Sequence, residues 1–309
     1  MLKTTVVIPT YNRTSELAAC IQSIINQTIK PHEIIVVDDG LCVPPELEKQ
    51  CADADISYIY IKKQGNPGLT ASRNLSIGYA TGDIIFFFDD DVVLQPDYIR
   101  EILKIYEADA PCAIGGVGGF IENRPVLDLK DHIRRFFERI FLITGKEEGK
   151  VLSSGFCIDY GDTANPLLKP QAVDFLAGCA MSFRKKVFDE LLFDVQISTY
   201  SGEDKDFSYR VAKRYGLIIA PAARLLHLES PKMRPDRIKQ GRNYVVFVRR
   251  FFKDYIKEGM FLREVFFWYA LAGHILLGAA TAMLPPRRAK INRLAGLLLG
   301  VKDILLRRA

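Results

Sequence analysis

Short unbroken apolar runs, each ending in a polar cluster, punctuate the first hundred residues. Thr5-Val6-Val7-Ile8 leads into Pro9-Thr10-Tyr11-Asn12, and Ile34-Ile35-Val36-Val37 into Asp38-Asp39-Gly40. Ile84-Ile85-Phe86-Phe87-Phe88 leads into Asp89-Asp90-Asp91. A continuous apolar run of this length fits a parallel strand covered on both faces. Between the runs, residues 15–27 put Leu17, Ile21, Ile24 and Ile25 on one helical face. Pro44 and Pro45 can open a short helix through Cys51, residues 57–61 read as a third strand, and residues 67–80 as a second amphipathic helix stopped by Thr81-Gly82. Strand and helix alternating at this pace predict an α/β fold, a Rossmann-like and mostly parallel sheet flanked by helices.

Residues 111–174 are less regular and rich in glycine, from Gly115-Gly116 to Gly161, with one helix expected over 129–142. We read this stretch as completing the sheet. Regularity returns over 175–184, an apolar strand, and at Gly202-Glu203-Asp204-Lys205-Asp206-Phe207, which enters a helix ending near Tyr215-Gly216. The tail differs in kind. Residues 265–284 carry no charge, Pro285-Pro286 must break that helix, and residues 287–308 mix Arg and Lys with Leu, Ile and Val as a basic amphipathic helix.

Charge sharpens that division. The chain's formal +5 is made entirely by residues 232–309, where 17 Lys/Arg stand against 5 Asp/Glu. An acidic partner surface is expected for the tail, and the apolar run makes lipid a better partner than nucleic acid. The six cysteines, Cys20, Cys42, Cys51, Cys112, Cys157 and Cys179, show no CxxC spacing and read as small core filler. With no secretory pattern after Met1, a reducing cytoplasmic location is expected.

Open α/β sheets bind ligands outside the carboxyl ends of their strands. All three polar clusters sit at such ends and would converge on one rim. An Asp triplet is costly there unless something positive binds it, and a divalent cation carrying a phosphorylated ligand meets that need.

Six motifs in order carry a resemblance: VVIPTYNR at 6–13, VVDDG at 36–40, ASRN at 71–74, FFFDDDV at 86–92, FLAGCAMSFRKKVF at 175–188 and GEDKDF at 202–207. Together they resemble a family 2 glycosyltransferase of the GT-A fold over about residues 3–250. The resemblance implies a catalytic domain over 1–250, with a nucleotide-binding half at 1–110 and an acceptor and catalytic half at 111–250, while the tail at 251–309 reads from its own apolar run and charge as helical, basic and membrane-associating. It implies an inverting enzyme that uses a nucleoside-diphosphate sugar, with uracil the common base. Pro9, Thr10, Tyr11, Asn12 and Arg13, with Asp38 and Asp39, would frame the nucleotide, and Arg73 would lie near the base or diphosphate. Asp89 and Asp91 match the DxD pattern. Asp91 would coordinate Mn²⁺ or Mg²⁺, and Asp89 would reach the ribose or a metal-bound water. Asp90 is a helper or turn residue of the same nucleotide site. Asp204 would be the general base, Glu203 would bind the acceptor, and Asp206 would charge the first helical turn. His227 stands where some relatives place a metal-binding His, although a lone His among apolar residues is more often structural.

A spanning tail would put the basic residues at 287–308 outside, against the positive-inside tendency. The expected arrangement is therefore peripheral or monotopic docking on the cytoplasmic leaflet of the plasma membrane, with a single-pass span or packing on protein as alternatives. The acceptor would be a glycan, and membrane docking favours a lipid-linked one. Transfer to polyprenyl phosphate is the nearest competing activity. More distant are a nucleotidyltransferase, since the first strand lacks a Gly-rich phosphate loop, and an inactive sugar-nucleotide-binding module, since the Asp triplet and Glu203-Asp204 are both intact.

Overall fold

The computed structural model describes residues 2–40, 44–125, 127–157, 168–197, 202–230, 236–285 and 287–306. Cys42, Gly161, Pro286, Arg307 and Arg308, named above, lie outside the described residues. The chain forms two compact units, one of Met1–Arg124, Asn165–Thr199 and Glu203–Met233, the other of Pro125–Ala164, Tyr200–Gly202 and Arg234–Ala309.

The first unit holds a nine-stranded sheet, counted among the described residues. Strands β1 (Thr4–Thr10), β2 (Glu33–Asp38), β3 (Ser57–Lys62) and β4 (Ile84–Phe88) pair in parallel in the order β3-β2-β1-β4. Beyond β4 the sheet is mixed. With β5 (Val92–Leu94), β6 (Ile114–Ile121), β7 (Gln171–Ala172), β8 (Ala180–Arg184) and β9 (Gly216–His227), β8 runs antiparallel to both β4 and β6, β9 runs parallel to β6, and β5 and β7 pair antiparallel to β9. Helices α1 (Thr14–Ile25), α2 (Glu46–Asp53), α3 (Leu69–Ile77) and α4 (Tyr98–Ala108) follow the first strands. In the second unit lies α5 (Leu129–Ile140), and α6 (Glu203–Ala212) belongs to the first.

The unbroken apolar runs are buried on both faces. Phe86, Phe87 and Phe88 are fully buried. Phe87 meets Phe183, Phe188 and Phe193 at ring separations of 6.5, 5.7 and 5.4 Å, while Phe88 meets Tyr98 at 5.4 Å. Each buried ring stabilises the sheet by about 1.5–3 kcal/mol, and the sheet is thereby a rigid base for the polar clusters at its rim.

One predicted strand is shorter than its apolar run. Residues 175–184 read as strand throughout, but β8 begins only at Ala180, after a turn closed by Ala180 N–H donating to Ala177 O at 3.0 Å. The backbone before it is engaged by side chains rather than by a ladder. Gly178 N–H donates to Asp204 Oδ2 at 2.8 Å, and Arg73 Nη2 donates to Gly178 O at 3.1 Å.

In the second unit, α7 (Arg237–Phe251) runs into one π-helical turn at Phe252–Ile256 and is followed by α8 (Phe261–Ala282) and α9 (Arg287–Leu305). By length and composition α8 is apolar enough to cross a membrane. One face of it is nevertheless occupied by protein: Phe267, Ala270, Leu271 and Gly273 are buried. Phe267 packs on Phe252 at 4.8 Å, and His274 lies 5.3 Å from the Tyr244 ring and 6.0 Å from Phe156.

Candidate active site

Three strand ends of the first unit meet at the rim, and their polar clusters interlock. Asp39 N–H donates to Thr10 O at 3.0 Å, which ties the end of β2 to the end of β1. Thr10 Oγ1 donates to Asp90 Oδ2 at 2.8 Å, and Arg13 Nη1 lies 3.0 Å from Asp90 Oδ1 and 3.5 Å from Asp91 Oδ2. The middle carboxylate of the triplet thus anchors the loop from below. Burial pushes Asp90 up to about 6, with Thr10 and Arg13 opposing.

Asp91 is aimed by the pairing of β5 with β9. That register sets Val92 opposite His227, and Leu228 N–H donates to the Asp91 carbonyl at 2.9 Å. Ser230 N–H donates to Asp91 Oδ2 at 2.8 Å, and His227 Nε2 lies 3.2 Å from Asp91 Oδ1. Burial would raise the Asp91 carboxyl, but the facing His227 and the Ser230 N–H hold it below its ordinary value. Burial would lower His227, yet Asp91, Cys179 and Asp89 around it raise it to about 11. Asp89 keeps 30% of its side-chain surface open, though the surrounding protein still raises its carboxyl against the opposing charges of Arg73 and His227.

A ligand atom from each of Asp89, Asp91 and His227 lies within 4.8 Å of the others. Asp91 Oδ1 is buried and accepts no aligned hydrogen bond. Two carboxylates and one imidazole fit a divalent cation, which would also give the buried Asp91 Oδ1 a partner besides His227 Nε2 at 3.2 Å.

Behind this group, Arg73 is almost wholly buried. Its Nη2 lies 3.4 Å from Asp89 Oδ1 and its Nη1 3.7 Å from Glu203 Oε1, and the guanidinium sits 5.4 Å from the Phe193 ring centre. One cation therefore joins the Asp89 loop to the start of α6. Burial, with the charge of Asp204 adding to it, pushes Glu203 up to about 7 against the opposing Arg73. Asp204 is oriented by two backbone donors, Gly178 N–H at 2.8 Å on Oδ2 and Lys205 N–H at 2.9 Å on Oδ1. Asp206 is turned away, paired with Arg210 at 2.8 Å on the same helix.

The remaining expected nucleotide residues are placed as follows. Tyr11 and Asn12 are exposed at the rim, Asn12 with a left-handed φ of 56°, while Pro9, Thr10 and Arg13 are buried. Asp38 is fully buried and accepts from Tyr60 Oη at 2.8 Å, Lys62 Nζ at 3.0 Å and Gly40 N–H at 2.7 Å. Asp39 accepts from Ser72 Oγ at 2.7 Å and Gly68 N–H at 3.1 Å, with Lys63 on its other oxygen. Both acids thus hold β2 to β3 and α3.

Several of these partners carried no individual role in the sequence. Ser230, Ser72, Lys63 and Gly178 gain theirs only through tertiary contact. Cys179, read as core filler, is buried beside His227, and its thiol is pushed up by burial. Gly178 did leave a signal, since an isolated glycine inside a strand pattern marks a bulge or a close backbone approach.

Comparison with known proteins gives a family and a fold. A family model described as "Glycosyl transferase family 2" matches residues 5–192. The hyaluronan synthase of Pasteurella multocida is 26% identical over 260 residues, covering 79% of this chain and 26% of the synthase. The chain spans well under half the length of the curated relatives it matches. Among solved structures, the mannosyltransferase PcManGT of Pyrobaculum calidifontis, in complex with GDP-Man and Mn²⁺, superposes with a TM-score of 0.61 at 16% identity, covering 100% of this chain and 88% of that one. GalNAc-T7 with UDP, GalNAc and Mn²⁺ gives 0.55 at 17% identity, covering 92% of this chain and 58% of that one. Both similarities are of fold.

Proposed function

The chain belongs to glycosyl transferase family 2, and from that premise we propose that it moves a sugar from a nucleoside-diphosphate sugar, with uridine as the nucleoside, to a glycan hydroxyl, with inversion at the sugar carbon. The observation that carries this reading is the joint placement of Asp89, Asp91, His227, Arg73 and Asp204 at one rim of the sheet.

Asp91, Asp89 and His227 would hold the cation, and an imidazole among the donors favours Mn²⁺ over Mg²⁺. Bound there, the ion supplies Lewis-acid stabilisation of the charge that grows on the departing diphosphate. Arg73 keeps Asp89 in position through its contact at 3.4 Å. Asp204 takes the proton of the acceptor hydroxyl. Its two backbone hydrogen bonds fix the carboxylate plane, and each oxygen still has a lone pair to accept that proton. Glu203, held near 7 beside Arg73, would bind the acceptor.

The domain organisation we propose is a catalytic region over 1–250 and a membrane-associating tail over 251–309. The open face of α8 and the basic α9 would dock on the cytoplasmic leaflet, and the acceptor would be a lipid-linked glycan in cell-surface polysaccharide synthesis.

Binding of UDP, TDP, GDP and CMP, measured with and without Mn²⁺ beside Asp91→Ala, tests the reading. Metal-dependent binding of one diphosphate, lost in the variant, supports it. Absence of binding by all four overturns the transferase assignment for this site.

A further inference from the structure

Helix α5 is amphipathic with its sides reversed. Leu129, Ile133, Phe136, Phe137 and Ile140 recur at helical spacing along one side, and all five are between 42% and 74% exposed. The buried side chain of this helix is an acid, Glu138, which accepts from Arg134 Nε at 2.7 Å. A surface helix normally turns its apolar stripe to the core. Here the stripe faces outward, so it requires a cover that the unit itself does not supply.

The distribution of charge says what that cover is. At about 3.6 residues per turn, Lys130 and Arg134 border the apolar row on one side and Arg139 on the other, while Asp131 and Glu138 fall opposite it. Lys130, Arg134 and Arg139 are all exposed. An apolar protein groove would cover the row but gives no reason for cations along both borders. An anionic bilayer surface accounts for both, since it offers acyl chains to the row and phosphates at the level of its borders.

The helix is also built to hold its shape. A capping box closes its start, with Asp131 N–H donating to Asp128 at 2.9 Å and Asp128 N–H to Asp131 at 3.1 Å. Just past its end Phe141 packs on α8, 5.5 Å from the Tyr269 ring and so close to Gly273 that an added Cβ would lie 2.2 Å from Phe141 Cγ. That contact sets the end of α5 against α8, whose open face exposes Val265, Tyr269 and Leu276.

We infer that α5 is an in-plane membrane anchor, with Leu129, Ile133, Phe136, Phe137 and Ile140 entering the acyl boundary of an anionic leaflet and Lys130, Arg134 and Arg139 meeting its phosphates. This deepens the membrane reading given above and is independent of the transfer chemistry.

Co-sedimentation of the full chain with phosphatidylcholine vesicles, with and without phosphatidylglycerol, tests it. Ile133→Asp/Phe136→Asp changes exposed positions only and is expected to lower the partition coefficient at least about tenfold. Neutralising Lys130 and Arg139 to Gln, which keeps the Arg134–Glu138 pair, is expected to lower it about thirtyfold on the anionic vesicles and little on the neutral ones. Wild-type partitioning by the Asp pair, with loss in Leu276→Asp on α8, overturns the α5 anchor and leaves the membrane reading standing. No partitioning by the wild type overturns both, while nucleotide binding stays a separate result. A dimer that the Asp pair converts to monomer, at unchanged partitioning, assigns the row to a second copy and also overturns the anchor.

Discussion

Arg73 Nη1 lies 3.7 Å from Glu203 Oε1, and both side chains are closed to water. The same guanidinium reaches Asp89, so the pair couples the loop after β4 to the first turn of α6. Breaking a buried pair from one side leaves the other charge uncompensated, which costs roughly 3–5 kcal/mol. At pH 8, where Glu203 is ionised, Arg73→Ala is expected to lose about that much stability in urea unfolding, and adding Glu203→Gln should recover part of it. Strict additivity of the two changes would show that they do not interact.

The same pair predicts a pH dependence. Glu203 has an ordinary value of 4.5 and is raised to about 7 in the folded chain, so the fold binds its proton more tightly than the unfolded chain does. Its contribution is therefore complete below 4.5 and is lost as pH rises through about 7. Asp90, raised to about 6, acts with the same sign. Without added metal, the urea midpoint should fall between pH 5 and pH 8 by less in Glu203→Gln than in the wild type. Equal falls would remove Glu203 as a source of the slope.

Gly178 separates Arg73 from Asp204. A Cβ there would stand 3.1 Å from Arg73 Nη2 and 3.1 Å from Asp204 Cβ, closer than an ordinary contact, with no unusual φ to strain the backbone. Gly178→Ala should cost less than about 1.5 kcal/mol in stability, because a few tenths of an ångström of movement relieve the clash. Transfer should fall further than that, by about a hundredfold, since the movement displaces the proposed base. Parallel urea and turnover measurements separate the two effects.

Removing a ligand should weaken the metal directly. His227→Ala and Asp91→Ala are each expected to lower Mn²⁺ affinity by more than about tenfold, measured by titration calorimetry. His227 is raised to about 11 in the metal-free fold and must give up that proton to bind a metal, so the affinity lost in this variant should shrink as pH falls. An affinity unchanged in His227→Ala would leave the two carboxylates as the protein's ligands.

The strand ends were legible because the apolar runs are local and unbroken, and the acids mark where each run leaves the sheet. β1, β2 and β4 fall where the pattern puts them. His227 was harder to read, since its meaning depends on β9 pairing with β5, a register between segments far apart in the chain. Arg73 shows the same limit. Its sequence context gives a helix and a charge, whereas its three partners come from Asp89, Gly178 and Glu203. The outward apolar row of α5 was hidden for another reason. Its period declares a helix, but which side faces the protein is set by packing alone.

Asp204 carries the proton in the proposed reaction, and its environment separates that role from a structural one. Both oxygens accept backbone N–H groups, from Gly178 and Lys205, so an amide in its place keeps one hydrogen bond and turns an N–H₂ toward the other donor. Asp204→Asn is therefore expected to lose some stability, about 1–3 kcal/mol from the unsatisfied donor. Transfer should fall by roughly 10²–10⁴-fold through loss of the base, with nucleotide and Mn²⁺ binding retained. Asp204→Ala frees both donors without an opposing N–H₂ and should lose transfer to the same degree. Turnover in either variant within a few-fold of wild type, with the fold intact by circular dichroism, would assign the base to another residue, and Glu203 is the nearest carboxylate to test.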